Sequence, residues 1–153
     1  SKKFYTVIAS INNFLHNLEK FREIKIEKFW IGIENAKFEL KNGWGTPPIK
    51  VSNKEYLVIL HGVDKELYTY RAFAVLLEER ENLEVTAVTP YYIMEPKHIE
   101  ERYGDRPNVV FPCGLQEIDG KLIISYGAAD TFIGFASVDL GELINVLEKN
   151  KIG

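Results

Sequence analysis

The feature that most restricts what this chain can become is an internal repeat. Leu57 and Leu122, His61 and Tyr126, and Gly62 and Gly127 each stand 65 residues apart, and the segments around them, YLVILHG and KLIISYG, read alike. Pro47 and Pro112 lie upstream at the same spacing. Each copy is followed by a turn and a second apolar run, Tyr70 to Leu77 in the first and Thr131 to Val138 in the second. An earlier relative of that run, TVIASI at Thr6 to Ile11, sets Ala9 65 residues ahead of Ala74, so the chain opens in the middle of a unit. A sequence that repeats in this way builds from copies of one supersecondary unit, each of which needs its neighbours to cover its apolar face.

The units read as short strands rich in Val, Ile, Tyr, Phe and Thr, punctuated by Gly, Asn, Asp and Pro. The expected strands are Phe4 to Ser10, Ile49 to Val51, Tyr56 to Gly62, Tyr70 to Leu77, Glu84 to Val88, Val109 to Phe111, Leu115 to Ile118, Leu122 to Tyr126 and Phe132 to Val138. Asp119-Gly120 is a hairpin turn signal. Helical spacing is confined to Asp139 to Lys149, with Asp139 as N-cap and Leu140, Leu143, Ile144 and Leu147 on one face. The fold class expected is all-β, a partial β-propeller of about two and a half blades with a short C-terminal helix. It reads as one domain over 1–153, with a partial blade and connection at 1–40, a blade at 41–105, and the last blade and helix at 106–153. An arc of that size leaves apolar faces wet and strand edges unpaired. The chain is therefore expected to be a piece of a longer protein, or to complete its ring with another chain or with copies of itself.

Composition removes several function classes. Of 153 residues, 46% are hydrophobic and 27% charged, which suits a globular domain. The 19 basic and 22 acidic residues are interspersed, with no basic stripe, so a nucleic-acid partner is not expected. The longest apolar runs, Leu57 to Leu60 and Leu122 to Ile124, fall far short of the roughly 20 residues of a membrane span. Residues 1 to 10 lack the apolar core of a signal peptide. The single cysteine, Cys113, excludes a disulfide framework and fits a cytoplasmic location. His16, His61 and His98 lack metal-ligand spacing, so no metal is expected. The first residue is Ser1, so the numbered start need not be the gene's start.

Two ordered groups of motifs carry a family resemblance. KNGWGTPPIK at Lys41 to Lys50, LHGV at Leu60 to Val63 and Tyr70-Arg71 resemble the K-x-G-x-G-x-P-P-I-K, H-G-V and Y-R pattern of glycoside hydrolase family 130. GDRPNVVFPCG at Gly104 to Gly114 and YGAAD at Tyr126 to Asp130 are similar to that family's G-D-x-P-N-V-V-F-P-C-G and Y-G-A-A-D. The likeness runs from about Lys41 to Leu147. It implies a five-bladed propeller and activity like that of β-1,4-mannosyl-oligosaccharide phosphorylases, with β-mannosidases as less frequent members. It also implies that the general acid is an aspartate of the N-terminal half, absent here together with arginines that help bind phosphate. No catalytic residue is therefore assigned to this chain, and it is expected to be inactive without its N-terminal half.

By the same resemblance Lys41, His61 and Tyr70 fall on phosphate-binding positions. Their chemistry agrees, since an ammonium, an imidazole and a phenol can converge on an anion. The bland reading of His61 is a half-buried ring bonded to a backbone carbonyl, and that of Lys41 is a solvated lysine. Asp130 resembles the carboxylate that binds hydroxyls of the sugar beside the cleaved bond; alternatively it caps its own turn. Arg71 reads equally as a second substrate contact or as a blade-to-blade ion pair. Asp105 and Asn108 read as braces of their loop. Trp30 and Trp44 invite sugar stacking, although most tryptophans are core. Trp44 replaces a small residue of the family pattern, which would narrow the pocket. Cys113 reads as a small buried apolar residue.

Inorganic phosphate would be a co-substrate rather than a cofactor, and a β-mannoside oligosaccharide the other partner. The competing expectation is a non-catalytic sugar-binding or structural propeller remnant, or a fragment of a hydrolase.

Overall fold

The computed structural model describes residues 5–10, 26 and 28–152, with the side chains of residues 5, 10, 28, 30 and 31 outside the description. The described residues fold mostly as antiparallel strand. β1 (Tyr5–Ser10) and β2 (Lys28–Glu34) make a two-stranded sheet. A second sheet runs in the order β3 (Glu39–Trp44), β5 (Glu55–Asp64), β6 (Tyr70–Glu79) and β7 (Leu83–Val88), with the short β4 (Ile49–Lys50) also paired to β5. In the third sheet β9 (Lys121–Ala128) lies between β8 (Val110–Ile118) and β10 (Phe132–Asp139). Two helices, α1 (Ile99–Arg102) and α2 (Leu140–Glu148), complete the elements. Three antiparallel sheets following one another along the chain fit part of a propeller.

The apolar runs of β5 and β6 are continuous because the second sheet is covered on both faces. Side chains alternate across a strand, so successive residues feed different clusters. Leu57 and Ile59, with Ala72, Ala74 and Leu76, pack against Leu122 and Ile124 of the third sheet and Leu143 and Leu147 of α2. Val58 and Leu60, with Phe73, Val75 and Leu77, pack against Ile8 and Ile33 of the first sheet. Each large side chain so buried contributes roughly 1.5–3 kcal/mol. The repeated segments of the sequence are thus β5 and β9. Asp139 caps α2 as expected, accepting from the Glu142 amide at 2.9 Å.

Several elements depart from expectation. β2 and β3 were not anticipated, and β3 begins two residues before the expected blade boundary at 41. β3 (ELKNGW) has no strand-like composition; its pairing with β5 makes it a strand. The two runs expected at Val109 to Phe111 and Leu115 to Ile118 are one strand, β8, bent by a bulge between Pro112 and Gly114. That bulge turns Cys113 outward, so it is exposed rather than buried, its thiol 3.2 Å from the Phe111 carbonyl. The turn α1 is a second helix, where helical spacing was seen only in α2. Phe4 and His16 lie outside the described residues, as does the side chain of Trp30. Among the described residues no helix is long and apolar enough to cross a membrane.

Candidate functional site

The register of the second sheet decides which side chains can meet. Lys41, Val63 and Tyr70 stand directly opposite one another on β3, β5 and β6, and Gly43, His61 and Ala72 form the next row on the same face. With no side chain on Gly43, the His61 ring settles over it; a Cβ there would come within 2.8 Å of the His61 Cε1. The same alternation sends Asn42, Gly62 and Arg71 to the opposite face.

The third sheet supplies the facing wall. Tyr70 and Val109 form a parallel bridge, and the Tyr70 amide donates to the Asn108 carbonyl at 3.0 Å. Asn108 takes a left-handed φ of 59° to present that carbonyl. The loop before β8 is stitched to the β9–β10 turn: the Arg106 amide donates to the Ala129 carbonyl at 3.1 Å, the Ala129 amide to the Val109 carbonyl at 3.0 Å, and the Asp105 amide to the Thr131 hydroxyl at 2.9 Å. The turn closes through the Thr131 amide and the Ala128 carbonyl, 3.0 Å, with Ala129 and Asp130 both left-handed. For residues other than glycine that conformation costs about 1 kcal/mol or more each. Here it aims Asp130 back toward the second sheet.

The result is a cavity of about 370 Å³ lined by Lys41, His61, Tyr70, Arg106, Val109, Phe111 and Asp130. Four of the five residues singled out from the sequence, Lys41, His61, Tyr70 and Asp130, meet there. His61 and Tyr70 are 8% and 4% exposed, and their rings stack at 5.7 Å, with Phe111 4.6 Å from His61. The Lys41 ammonium lies 5.5 Å from the Tyr70 ring centre and the Arg106 guanidinium 4.8 Å from it. Two cations therefore flank one phenol, each with N–H groups to offer a ligand. Among the described residues neither cation has a carboxylate within ion-pair distance, and Asp130 makes no hydrogen bond to its own turn. His61 Nδ1 lies 3.0 Å from the Trp44 carbonyl. Its pKa falls below the ordinary histidine value because burial penalises the imidazolium; the carbonyl opposes this and the Lys41 charge adds to it.

The remaining residues fall elsewhere. Arg71 is not brought into this cavity; it faces a second one of about 600 Å³, with Asn42, Glu39 and Tyr92 among its lining. There it pairs with Asp64 at 3.6 Å and Glu95 at 3.7 Å and lies 5.5 Å from the Tyr92 ring. Those partners belong to its own sheet and the loop after β7, so the ion pairs are not between blades. The second cavity is larger, but Lys41, Arg106 and His61 converge on the smaller. Trp44 shares the far face of β3, with its indole 3.5 Å from the Val7 carbonyl, and does not narrow the site. Asp105 and Asn108 brace the loop through their backbones. Tyr126, the repeat partner of His61, donates to Glu101 at 2.7 Å. Arg106 was missed: it occupies the variable position of the G-D-x-P-N motif, and an Arg beside Asp and Pro reads as solvated.

Antiparallel sheets joined at a cavity of cations and hydroxyl-binding groups define a class of β-sheet proteins with a polar ligand site at a sheet junction. Within that class the chain belongs to glycoside hydrolase family 130: residues 3–149 match the family described as beta-1,4-mannooligosaccharide phosphorylase. It is 39% identical over 112 residues to a beta-1,2-mannobiose phosphorylase of Thermoanaerobacter sp., covering 73% of this chain and 33% of that protein. It is 31% identical over 111 residues to a beta-1,4-mannooligosaccharide phosphorylase of Ruminococcus albus, covering 69% of this chain and 33% of the other. Among solved structures, the beta-1,2-mannobiose phosphorylase of Listeria innocua in complex with beta-1,2-mannobiose superposes with a TM-score of 0.70 at 28% identity, over 85% of this chain and 36% of that one. The chain spans about a third of the length of the curated relatives it matches.

Proposed function

We propose that this chain supplies the phosphate-binding wall of a β-mannoside phosphorylase. The observation that carries the reading is the convergence of Lys41, Arg106, Tyr70, His61 and Asp130 on one cavity between two sheets. Phosphorolysis requires a phosphate oxygen to attack the sugar's C1 from the face opposite the leaving oxygen. The C1–O bond breaks, the leaving oxygen takes a proton from a general acid, and mannose 1-phosphate forms with inversion. Cations and donors fixed before the reaction stabilise the attacking anion without reorganisation, which is the main help a protein can give this step. Lys41, Arg106 and Tyr70 hold the phosphate, and Asp130 accepts hydrogen bonds from hydroxyls of the adjoining mannosyl unit. Inorganic phosphate is the co-substrate, and no cofactor takes part. A hydrolase would have no use for so many cations around one empty volume.

The general acid belongs to a companion segment, in the same polypeptide or another, that completes a five-bladed ring. Support comes from the family's length and from β10, where Ile133 and Phe135 are 78% and 72% exposed on one face of an edge strand. Such a face is covered when another sheet packs on it. Association of chains, if it occurs without that segment, would use the same face. The β-1,4 linkage of the family description is the proposed substrate, with β-1,2 as the competing arm.

Isothermal titration of the chain with inorganic phosphate tests the wall directly, and binding that Lys41→Met weakens is the expected result. Combined with a segment carrying the acid, the chain releases mannose 1-phosphate from β-1,4-mannobiose and phosphate; release from β-1,2-mannobiose alone reassigns the linkage. No phosphate binding and no release would leave a structural remnant.

A further inference from the structure

The hydrogen-bond polarity of the cavity is set by one contact on its far side. His61 Nδ1 lies 3.0 Å from the Trp44 carbonyl oxygen, which can only accept, so Nδ1 carries a proton. In the neutral ring Nε2 then holds a lone pair and no hydrogen. The ring cannot swivel to change this, because Phe111 and Tyr70 pack on it and Gly43 lies against its Cε1–Nε2 edge. Among the described residues no protein group bonds Nε2.

The groups around the ring come from every neighbouring element: the Lys41 ammonium from β3, the Tyr70 phenol from β6, the apolar Phe111 from β8, the Arg106 guanidinium from the loop before it and the Asp130 carboxylate from the β9–β10 turn. Burial and Lys41 both disfavour an imidazolium here. At neutral pH the cavity therefore offers an oxyanion several donors, with the His61 Nε2 lone pair and, across the cavity, the Asp130 carboxylate as acceptors. An anion with no hydrogen would point a lone pair at a lone pair.

We propose that His61 makes this site selective for a protonated oxyanion, accepting a hydrogen bond from the P–OH of hydrogen phosphate and rejecting sulfate, which has no hydrogen to give. The proposal rests on the anion-binding reading above and adds to it the protonation state of the ligand. Hydrogen phosphate brings its own proton, so its binding moves none to or from solvent. Sulfate binds only when His61 takes a proton on Nε2 from solvent and becomes a donor.

The test is calorimetric titration of the intact chain with sodium phosphate and with sodium sulfate at a series of pH values from 6 to 8.5, repeated in two buffers of different ionisation enthalpy. Above the histidine's pKa, sulfate affinity is expected to fall about tenfold per pH unit, with uptake of about one proton per anion. At pH 8 and above, where phosphate is already HPO₄²⁻, its binding is expected to take up none and to keep its strength. His61→Gln, which cannot titrate, should make sulfate affinity independent of pH and keep the phosphate-to-sulfate ratio level at pH 8 and above. If that variant fails to fold, nitrogen-15 shifts of the native ring decide the tautomer, and a proton on Nε2 in the free chain overturns the proposal. Equal pH dependence for the two anions also overturns it while leaving the phosphate site intact. Binding of neither anion removes the site itself, and this proposal with it.

Discussion

The two faces of the second sheet are made from the same three strands, yet they do opposite things with polar groups. On one face Lys41, His61 and Tyr70 surround a cavity, and among the described residues the cation is left without a carboxylate. On the other, shifted by one residue, Asn42 accepts from Thr6 at 2.6 Å, Arg71 pairs with Asp64 and Glu95, and Tyr92 donates to Glu39 at 2.7 Å. The second face pairs its charges internally, although Asn42 Nδ2 and Arg71 Nε stay buried without a hydrogen-bond partner, and it holds the first sheet to the second. The first leaves its cations without an ion-pair partner among the described residues. The difference lies in charge pairing: Lys41 and Arg106 have no carboxylate within ion-pair distance among the described residues, whereas Arg71 has two.

The largest effect expected from breaking this contrast is on the face that pairs its charges internally. Gly62 lies between Asn42 and Arg71, and a Cβ on it would collide with the Glu39 carboxylate and come within 2.8 Å of the Tyr92 hydroxyl. Gly62→Ala should destabilise the chain by about 3 kcal/mol, from overpacking and loss of a buried hydrogen bond together. Urea unfolding reads this out, and phosphate affinity of the remaining folded protein should hardly change.

The next effect lies on the ligand face. Lys41→Met keeps the aliphatic stem over Tyr70 and removes only the charge. It should weaken phosphate binding by about 2 kcal/mol, roughly thirtyfold, because hydrogen bonds to charged groups contribute about 1.5–3 kcal/mol each. Stability should stay within about 0.5 kcal/mol of the parent. If stability fell and binding held, the assignment of the two faces would be reversed.

Arg71→Met is the matching change on the other face, with a smaller expected effect. Its guanidinium is partly exposed and its ion pairs are long, 3.6 and 3.7 Å, so the loss should be at most about 1 kcal/mol. Phosphate affinity should be unchanged. A loss of phosphate binding instead would bring Arg71 back to the ligand, as one of its two sequence readings had it.

How much of this could be read beforehand depended on whether a residue's role is written in its own neighbourhood. His61 and Tyr70 lie at the ends of strongly apolar strands, so their positions were legible, and Asp130 was legible through the family motif it closes. Lys41 was legible only through its motif, because β3 has no strand composition and owes its form to β5. The two hairpin turns of the third sheet make the same point. Asp119-Gly120 announces itself, and a Cβ on Gly120 would meet only open space. Ala129-Asp130 does not, since its left-handed residues are held by bonds from a loop 20 or more residues earlier, Asp105 to Val109. Arg106 joins the site through that same long-range stitching, and no local pattern reveals it. The outward turn of Cys113 likewise depends on a bulge set by pairing with β9.

The smallest expected effect is the pH dependence of stability that the ligand face should impose on the free chain. His61 has a pKa below its ordinary value of 6.5 because burial penalises the imidazolium, with a smaller push from the Lys41 charge. The unfolded chain therefore binds the histidine's proton more readily than the folded one. Stability from this group is complete above the unfolded value and is lost as pH falls from there through the folded value. Glu101 behaves similarly in a more acidic window: burial alone would raise its pKa, but amides of His98 and Lys97 and the Tyr126 hydroxyl outweigh it and hold the carboxyl below 4.5. Urea midpoints should show a shallow decline between pH 7.5 and 5 that His61→Gln flattens, and, on further acidification, a steeper one near pH 4 that it leaves in place. Saturating phosphate at pH 6.5 should deepen the first decline, because a P–OH donating to Nε2 favours the neutral ring of the folded chain. A midpoint that stays level from pH 7.5 to 5, in the native chain with and without phosphate, would mean that His61 titrates alike folded and unfolded and that the cavity exerts no pull on it.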